Sequence, residues 1–283
     1  MDFEPGAEIS ALRDRVREFQ DENINPVEAS LHASLDREVG PGVPYPADII
    51  AIREKAQAEG LWNLFLPDEE HGAGLSNLDY GILCEVMGRS PAVAPMAFNC
   101  AAPDTGNMEI LHDHGTDEQK AQWLEPLLDG KIRSCVSMTE PATSGSDPTN
   151  LAASAVLDGD EWVINGLKWF TSGANGADLA IAMVITEPEG NPYARASMIL
   201  VPTDAPGYKL ERPLSVMGHV KGPGHCEVSY TDCRVPKENL LGERGAGFLI
   251  AQDRLGPGRI HHCMRAIGTA ERALEMMCVY ASE

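Results

Sequence analysis

One short segment of this 283-residue sequence concentrates hydroxyl groups that could bind a ligand. Residues 138–147 read Met-Thr-Glu-Pro-Ala-Thr-Ser-Gly-Ser-Asp, and Gly145 lets the backbone approach a bound group closely. The N–H and O–H groups of such a loop can donate hydrogen bonds to a polar ring edge or to a phosphate. Serine, threonine, glycine and proline are also the ordinary residues of solvated turns. Composition alone therefore favours a turn.

A second segment places aromatic and hydroxyl side chains next to each other. Residues 169–173 read Trp-Phe-Thr-Ser-Gly and follow the loop one predicted strand later. The two rings could pack on a flat cofactor while a hydroxyl donates a hydrogen bond to it. A strand whose alternate aromatic side chains face the core is the more common explanation of this pattern.

Other catalytic patterns are missing from the sequence. No G-x-G-x-x-G dinucleotide fingerprint follows a predicted strand, and neither a phosphate-binding P-loop nor a G-x-S-x-G nucleophile motif occurs. His112 with His114, and His261 with His262, lack the neighbouring cysteines of a metal site, so we expect no bound metal. Two catalytic carboxylates cannot be singled out among 43 acidic residues.

The charge and the cysteine content restrict the partners and the compartment. The chain has 22 basic and 43 acidic residues, a net charge of −21, and no basic cluster longer than a pair, which argues against nucleic acid or an anionic membrane as a partner. The longest apolar run, residues 179–185, is too short to cross a bilayer. Scattered cysteines without a C-x-x-C pair are typical of a reducing compartment, so we expect a cytoplasmic protein.

The periodicity of apolar residues divides the chain into three regions and predicts an α+β fold. Up to about residue 132 the apolar residues recur every three or four positions, for example from Ile9 to Phe19. Short apolar runs with turn signals follow, and helical periodicity returns after Asn239. The predicted domains are an N-terminal helical domain (1–132), a middle β-barrel-like domain (133–243) and the beginning of a C-terminal helical domain (244–283).

The sequence also predicts individual turns and helix ends. Thr116 and Gln119 have the spacing of a capping box that begins a helix. Residues 158–160 predict a hairpin turn, and residues 165–166, Asn-Gly, predict a further tight turn. Gly-Pro-Gly at residues 256–258 should kink or interrupt the last helix.

An apolar face runs along this last helical pattern from Ile260 to Tyr280, and no glycine, asparagine or proline follows it as a stop signal. A helix of about twenty residues with one apolar face gains most of its stability from packing against a partner. We therefore expect the chain to be C-terminally truncated, with an incomplete C-terminal helical bundle. The alternative is a native end that docks on the first domain or on another subunit.

Several segments, in order along the chain, resemble the acyl-CoA dehydrogenase family. The matching segments are residues 67–74 with its early P-E-x-x-G-G turn, 138–147 with its T-E-P…G-S-D flavin loop, 169–173 with its W-I-T-N-G segment, and 227–242 with its E-V-x-F-D-D-V-R-V-P-x-x-N-L-L-G stretch. Residues 102–109 and 254–265 are similar to family members 10 and 11. The resemblance implies the acyl-CoA dehydrogenase fold and FAD as the cofactor.

The resemblance also implies a role for each matching residue. The residues that would bind FAD are Met138, Thr139, Glu140, Gly145, Ser146, Trp169, Phe170 and Thr171. The residues that would bind the acyl-CoA substrate are Ser146, Gly256, Pro257, Gly258 and Arg259. Within these sets, Trp169 would pack on the isoalloxazine ring and Thr171 would hydrogen-bond flavin N5.

The reaction that the resemblance implies is the α,β-dehydrogenation of an acyl-CoA to a trans-2-enoyl-CoA, as in fatty-acid β-oxidation. A carboxylate removes the α-proton while the β-hydrogen passes as hydride to flavin N5. In most members the base would lie beyond Glu283, and in another branch the corresponding position is Gly258, so no catalytic residue is identified. The expected electron acceptor is an electron-transfer flavoprotein, and the expected assembly is a homodimer or homotetramer.

Two other functions stay open at this point. The missing base is compatible with a non-catalytic flavin- or CoA-binding fragment. The same scaffold also carries flavin oxidases and monooxygenases, and a fold by itself does not fix a function.

Overall fold

Helices come first along the chain, strands follow, and one long helix comes last, so the predicted α+β fold is confirmed. The computed structural model describes residues 4–38, 45–218 and 224–283. The helices are α1 Ala7–Asn23, α2 Glu28–Glu38, α3 Ala47–Ala58, α4 Asn77–Met87, α5 Ala94–Ala97, α6 Asp104–His114, α7 Asp117–Gln119, α8 Glu125–Leu128 and α9 Gly247–Ser282. The strands are β1 Ser134–Ser137, β2 Ser154–Asp158, β3 Glu161–Ser172, β4 Leu179–Ile185, β5 Ala196–Pro202, β6 Tyr208–Leu214, β7 His225–Pro236 and β8 Leu240–Leu241.

The chain forms two compact units. The first unit comprises Met1–Ser34, Pro46–Thr105 and Gly256–Glu283. The second unit comprises Leu35–Tyr45 and Gly106–Leu255. The division into domains 1–132, 133–243 and 244–283 stays a prediction.

The first unit is helical, and its core forms as the apolar spacing predicts. Helix α1 buries Val16 and Phe19, which lie three positions apart on one face. The ring of Phe19 packs against Phe98 with 5.2 Å between the centroids. The helix predicted from Ile9 to Phe19 is therefore confirmed.

The second unit is built around one sheet. The strands follow the order β6-β7-β3-β2-β4-β5-β8, and β1 pairs in parallel with β4. Strand β4 is a continuous apolar run whose residues are buried on both faces, which places it at the centre of the core. The predicted hairpin between β2 and β3 is confirmed, with Gly159 in the turn at a φ of +64°. The sequence does not predict β6, because lysine, glutamate, arginine and proline interrupt its apolar alternation.

The capping box is confirmed, and the prediction of a tight turn at residues 165–166 is wrong. The Thr116 hydroxyl accepts from the N–H of Gln119, whose side chain accepts from the N–H of Thr116. Residues 165–166 form no tight turn, because β3 continues through them and only shifts its pairing with β7. Helix α9 continues through Pro257 without an interruption, whereas the predicted kink at this position stays a prediction.

Among the described residues, no helix combines the length and the apolar character that crossing a membrane requires.

Candidate functional site

The hydroxyl-rich loop and the aromatic segment lie side by side in the second unit. The loop begins where β1 ends, and the aromatic segment is the end of β3. The backbone N–H of Trp169 donates to the carbonyl oxygen of Thr139 at 2.9 Å. Two segments that are separated by about thirty residues in sequence are therefore hydrogen-bonded to each other.

Lys168 fixes the start of the loop against β3. Its ammonium group is fully buried and donates to the carbonyl oxygens of Met138 at 2.9 Å and Met183 at 2.7 Å. It also donates to Oε1 of Glu140 at 2.8 Å. Burial lowers the pKa of Lys168 to about 8, and the Glu140 carboxylate opposes that shift. At neutral pH the lysine is therefore charged, with three acceptors around it.

Glu140 holds the far side of the loop in the same way. Its carboxylate is buried and accepts from the backbone N–H groups of Ala152 at 2.7 Å and Ala153 at 2.9 Å, in addition to Lys168. A buried carboxylate needs such donors, because an unpaired charge in the core is strongly unfavourable. These contacts show that Glu140 anchors the loop to the beginning of β2, whereas its contact with a cofactor stays a prediction.

Both aromatic side chains near the end of β3 are at least partly exposed. Trp169 is half-buried and Phe170 is 44% exposed. Their ring centroids are 5.0 Å apart with the planes at 65°. The pair therefore offers apolar surface directly beside Thr139.

Thr171 faces the interior instead. The residue is fully buried, and its hydroxyl lies 3.5 Å from the hydroxyl of Ser137. Ser137 in turn accepts a hydrogen bond of 2.9 Å from the buried hydroxyl of Tyr230. The predicted hydrogen bond from Thr171 to flavin N5 stays a prediction.

Ser172 and His225 are neighbours in the site that the sequence did not single out. Their side chains meet at 2.7 Å, Oγ to Nδ1, and both residues are half-buried. A partnership across 53 positions in sequence leaves no local signal. The sequence does carry a local signal for Lys168, because a lysine among apolar and aromatic residues of a strand is unusual.

The tip of the loop is open. Gly145 and Ser146 are exposed, and the Ser146 hydroxyl lies 3.4 Å from that of Ser144. A Cβ on Gly145 would stand 2.6 Å from Cγ2 of Thr139, so the glycine keeps the tip close to the start of the loop. The exposed hydroxyls can donate to phosphate oxygens, and the polar backbone of the loop can hydrogen-bond a ring edge. Together with the adjacent aromatic rings, these groups fit FAD.

A buried carboxylate on α6 is a further feature of the second unit. The pKa of Glu109 is raised to about 7, mainly because the carboxyl is buried. The positive charge of Arg254 opposes this shift, and the charge of Asp113 adds to it. Arg254 lies across Gly106, where a Cβ would be 2.9 Å from its Cγ, and its Nε donates to Oδ1 of Asn107 at 2.9 Å. Glu109 is thus poised to change its charge near neutral pH.

Of the residues predicted to bind CoA, residues 256–259 belong to the first unit and Ser146 belongs to the second. Residues 256–259 form one turn of α9, in which Gly256 and Arg259 are exposed and Pro257 and Gly258 are half-buried. A cleft of about 350 Å³ lies alongside the next turns of α9. Its lining is mostly apolar and consists of Pro91, Ala92, Pro95, Met96, Ala101, Ala102, His262, Arg265, Ala266 and Thr269.

Two domain families match most of the chain. Residues 6–131 match the N-terminal domain of acyl-CoA dehydrogenases, and residues 135–233 match their middle domain. "Probable acyl-CoA dehydrogenase FadE2" of Mycobacterium tuberculosis is 51% identical over 280 residues, which cover 98% of this chain and 68% of that protein. "Acyl-CoA dehydrogenase family member 10" of Mus musculus is also 51% identical, over 95% of this chain and 26% of that protein.

A solved structure gives the same result in three dimensions. An inferred acyl-CoA dehydrogenase from Mycobacterium abscessus superposes with a TM-score of 0.90 at 49% identity, over 97% of this chain and 70% of that one. The chain thus spans about two thirds of the length of its bacterial relatives and about a quarter of the mouse protein. The order of the domains, the fold and the identity agree, and the chain belongs to the acyl-CoA dehydrogenase family.

Proposed function

We propose that the protein is an FAD-dependent acyl-CoA dehydrogenase that converts an acyl-CoA to a trans-2-enoyl-CoA. The observation that carries this proposal is the hydrogen bond from the N–H of Trp169 to the carbonyl oxygen of Thr139 at 2.9 Å. It joins a hydroxyl-rich loop to a pair of aromatic rings, which together offer hydrogen bonds and apolar surface to one flat ring system.

In this proposal each part of the site has a separate task. Met138 and Thr139 hydrogen-bond the polar edge of the ring system, and Trp169 with Phe170 packs on it and excludes water. Gly145 and Ser146 lie at the open tip and donate to phosphate oxygens. FAD supplies the acceptor for the hydride that leaves the β-carbon of the substrate.

The substrate side of the proposal rests on α9. Ser146 and residues 256–259 contact the CoA moiety, and Arg259 contributes a positive charge for its phosphates. The mostly apolar cleft beside α9 suits an acyl chain, because it lets alkyl groups leave water. No residue of this chain is proposed as the base.

The partners follow from the family. We infer that the electrons pass to an electron-transfer flavoprotein in the cytoplasm, that the pathway is of the β-oxidation type, and that the protein is a homodimer or homotetramer. These assignments rest on the resemblance to acyl-CoA dehydrogenases and not on a contact in the structure.

The decisive experiment adds FAD and then a panel of acyl-CoA esters to the full-length protein. We expect stoichiometric FAD binding and bleaching of the flavin absorbance by at least one ester under anaerobic conditions. Bound FAD that no ester bleaches would contradict the dehydrogenase. Rapid consumption of oxygen by the reduced protein would instead identify an oxidase or monooxygenase on the same scaffold.

A further inference from the structure

Arg265 on α9 carries a buried positive charge that forms no ion pair with a carboxylate of the described residues. The residue is 8% exposed, and its Nη2 donates to the carbonyl oxygen of Cys100 at 2.8 Å and to the hydroxyl of Tyr80 at 3.2 Å. Its Nε has no hydrogen-bond partner in the described part of the chain. By contrast Arg272, seven positions further along the same helix, pairs with the carboxylate of Glu28 at 2.6 Å.

The side chains around Arg265 supply no negative charge at neutral pH. Those that act on its charge belong to Tyr80, Cys84 and Cys100. Burial raises the pKa of Cys84 to about 12 and also raises the pKa values of Tyr80 and Cys100, so all three groups stay protonated. An unbalanced charge in a protein interior is strongly unfavourable, because it loses its hydration without gaining a partner. Within the described part of the first unit, the arginine therefore lacks a counter-ion.

Arg265 also lines the cleft of about 350 Å³ beside α9. Most of the other lining residues are apolar, for example Pro95 and Ala266. The hydroxyl of Thr269, which is polar, already donates to the carbonyl oxygens of Gly88 at 2.7 Å and Arg265 at 3.0 Å. The cleft therefore combines mostly apolar walls with a buried cation.

These properties suit a ligand that carries a negative charge on an apolar stem. An alkyl chain gains free energy by leaving water along the apolar walls, and a carboxylate accepts charge-assisted hydrogen bonds from a guanidinium group. One guanidinium group balances a single negative charge, which matches a carboxylate better than a phosphate dianion. Arg265 follows Arg259 by six positions, which is roughly 9 Å along the helix. The carboxylate therefore stands several carbons away from the end of the ligand that residues 256–259 hold.

We propose that the cleft takes acyl chains that end in a carboxylate and that Arg265 selects them. This inference rests on the proposed function, because it places the acyl group of the CoA ester in this cleft. The substrate class is a CoA monoester of a dicarboxylic acid. Arg265 binds the far end of the acyl chain and takes no part in the transfer of hydrogen.

The test measures dissociation constants of the full-length protein by calorimetry. The ligands are medium-chain CoA esters of increasing length, each made with a methyl, an amide or a carboxylate group at the far end. At the best length, the wild type should bind the carboxylate end about tenfold more tightly than the amide end, as expected for a hydrogen bond to a charged group. Arg265→Met should abolish this preference and still bind the methyl-ended ester.

Two further variants serve as controls. Arg265→Lys keeps the positive charge and should retain most of the preference for the carboxylate end. Arg272→Met removes a cation from the same helix that is already paired with Glu28, and it should keep the wild-type preference. Equal losses of the preference in Arg265→Met and Arg272→Met would overturn the inference, because the effect would then not be local to the cleft.

The remaining outcomes separate the inference from the function on which it rests. If the wild type binds the carboxylate end no better than the amide end at any length, the inference is wrong, whether or not a variant folds. If methyl-ended esters bleach the flavin but this preference is absent, only the inference fails. If no ester bleaches the flavin while the preference persists and depends on Arg265, the proposed dehydrogenase fails and the carboxylate site stands.

Discussion

Lys168 is the residue on which the arrangement of the loop depends most. Its ammonium group donates to Glu140 and to two carbonyl oxygens, and neither charge of the pair touches water. Such a pair adds little net stability compared with apolar residues of the same shape, but it is costly to break by removing one partner. We therefore infer that the Lys168–Glu140 pair fixes one conformation of the loop.

Replacement of the lysine should show this cost. Lys168→Met leaves the Glu140 carboxylate buried without its cation, and we expect a loss of roughly 3–5 kcal/mol in the free energy of unfolding, measured with urea. The matched control is Lys131→Met, because the ion pair of Lys131 with Asp129 lies at the surface, and we expect no measurable change. Equal losses in the two variants would show that the buried pair has no special role.

Glu109 should make the stability of the protein depend on pH. Its pKa is raised by burial from 4.5 to about 7, so the folded state retains a proton that the unfolded state releases between these values. The stabilisation by the protonated form is complete below about pH 4.5 and is lost as the pH rises through about 7. The stabilisation lost over this pH range is on the order of 3 kcal/mol in the free energy of unfolding.

The corresponding experiment is urea unfolding of Glu109→Gln at several pH values. The variant should match the wild type near pH 4.5 and be the more stable protein at pH 8, because the amide stays neutral. Glu125→Gln, at an exposed position in α8, is the control and should show no such crossover. A constant difference at every pH would contradict the raised pKa.

At the scale of elements, strand β3 requires a glycine at position 166, and the neighbouring sequence does not show why. The Asn-Gly pair at residues 165–166 predicts a turn, but Gly166 lies within the strand, where a Cβ would be 2.3 Å from Cβ of Ala153. The glycine is needed for the close approach of the chain that enters β2. The turn of the hairpin is made by Gly159, which has open space around it.

These two glycines make a matched pair of variants. Gly159→Ala should destabilise the protein by about 1–2 kcal/mol, because only the positive φ is unfavourable. Gly166→Ala should lower the free energy of unfolding by roughly a further 1–3 kcal/mol, because its Cβ would also clash with Ala153. Thermal or urea unfolding measures both, and an equal loss would mean that the backbone at residue 166 moves aside freely.

At the scale of the whole molecule, the charge opposes the association that the family resemblance implies. A net charge of −21 repels copies of the chain at low ionic strength, and salt screens this repulsion over about 8 Å at physiological concentration. We therefore expect light scattering to show a larger fraction of dimer or tetramer as salt is added to the intact protein. A monomeric mass at every salt concentration would contradict the predicted assembly.

The amino-acid sequence by itself determined the order and type of the main elements and the two segments of the candidate site. Helices such as α1, the hairpin of β2 and β3 and the capping box at Thr116 follow from spacings of a few residues, which are visible along the chain. The family resemblance follows from ordered motifs, which are likewise local.

The tertiary structure alone decided which side chains of those segments are buried and which are accessible. A β-bulge between Lys168 and Thr171 shifts the register of β3 with β7. The Ser172–His225 contact joins residues 53 positions apart. One extra residue in a strand exchanges the buried and the accessible side, so Thr171 is turned inward and Ser172 is left accessible. Pairing between distant strands has no local signature, and for this reason the sequence indicated the segment but not the burial of its individual side chains.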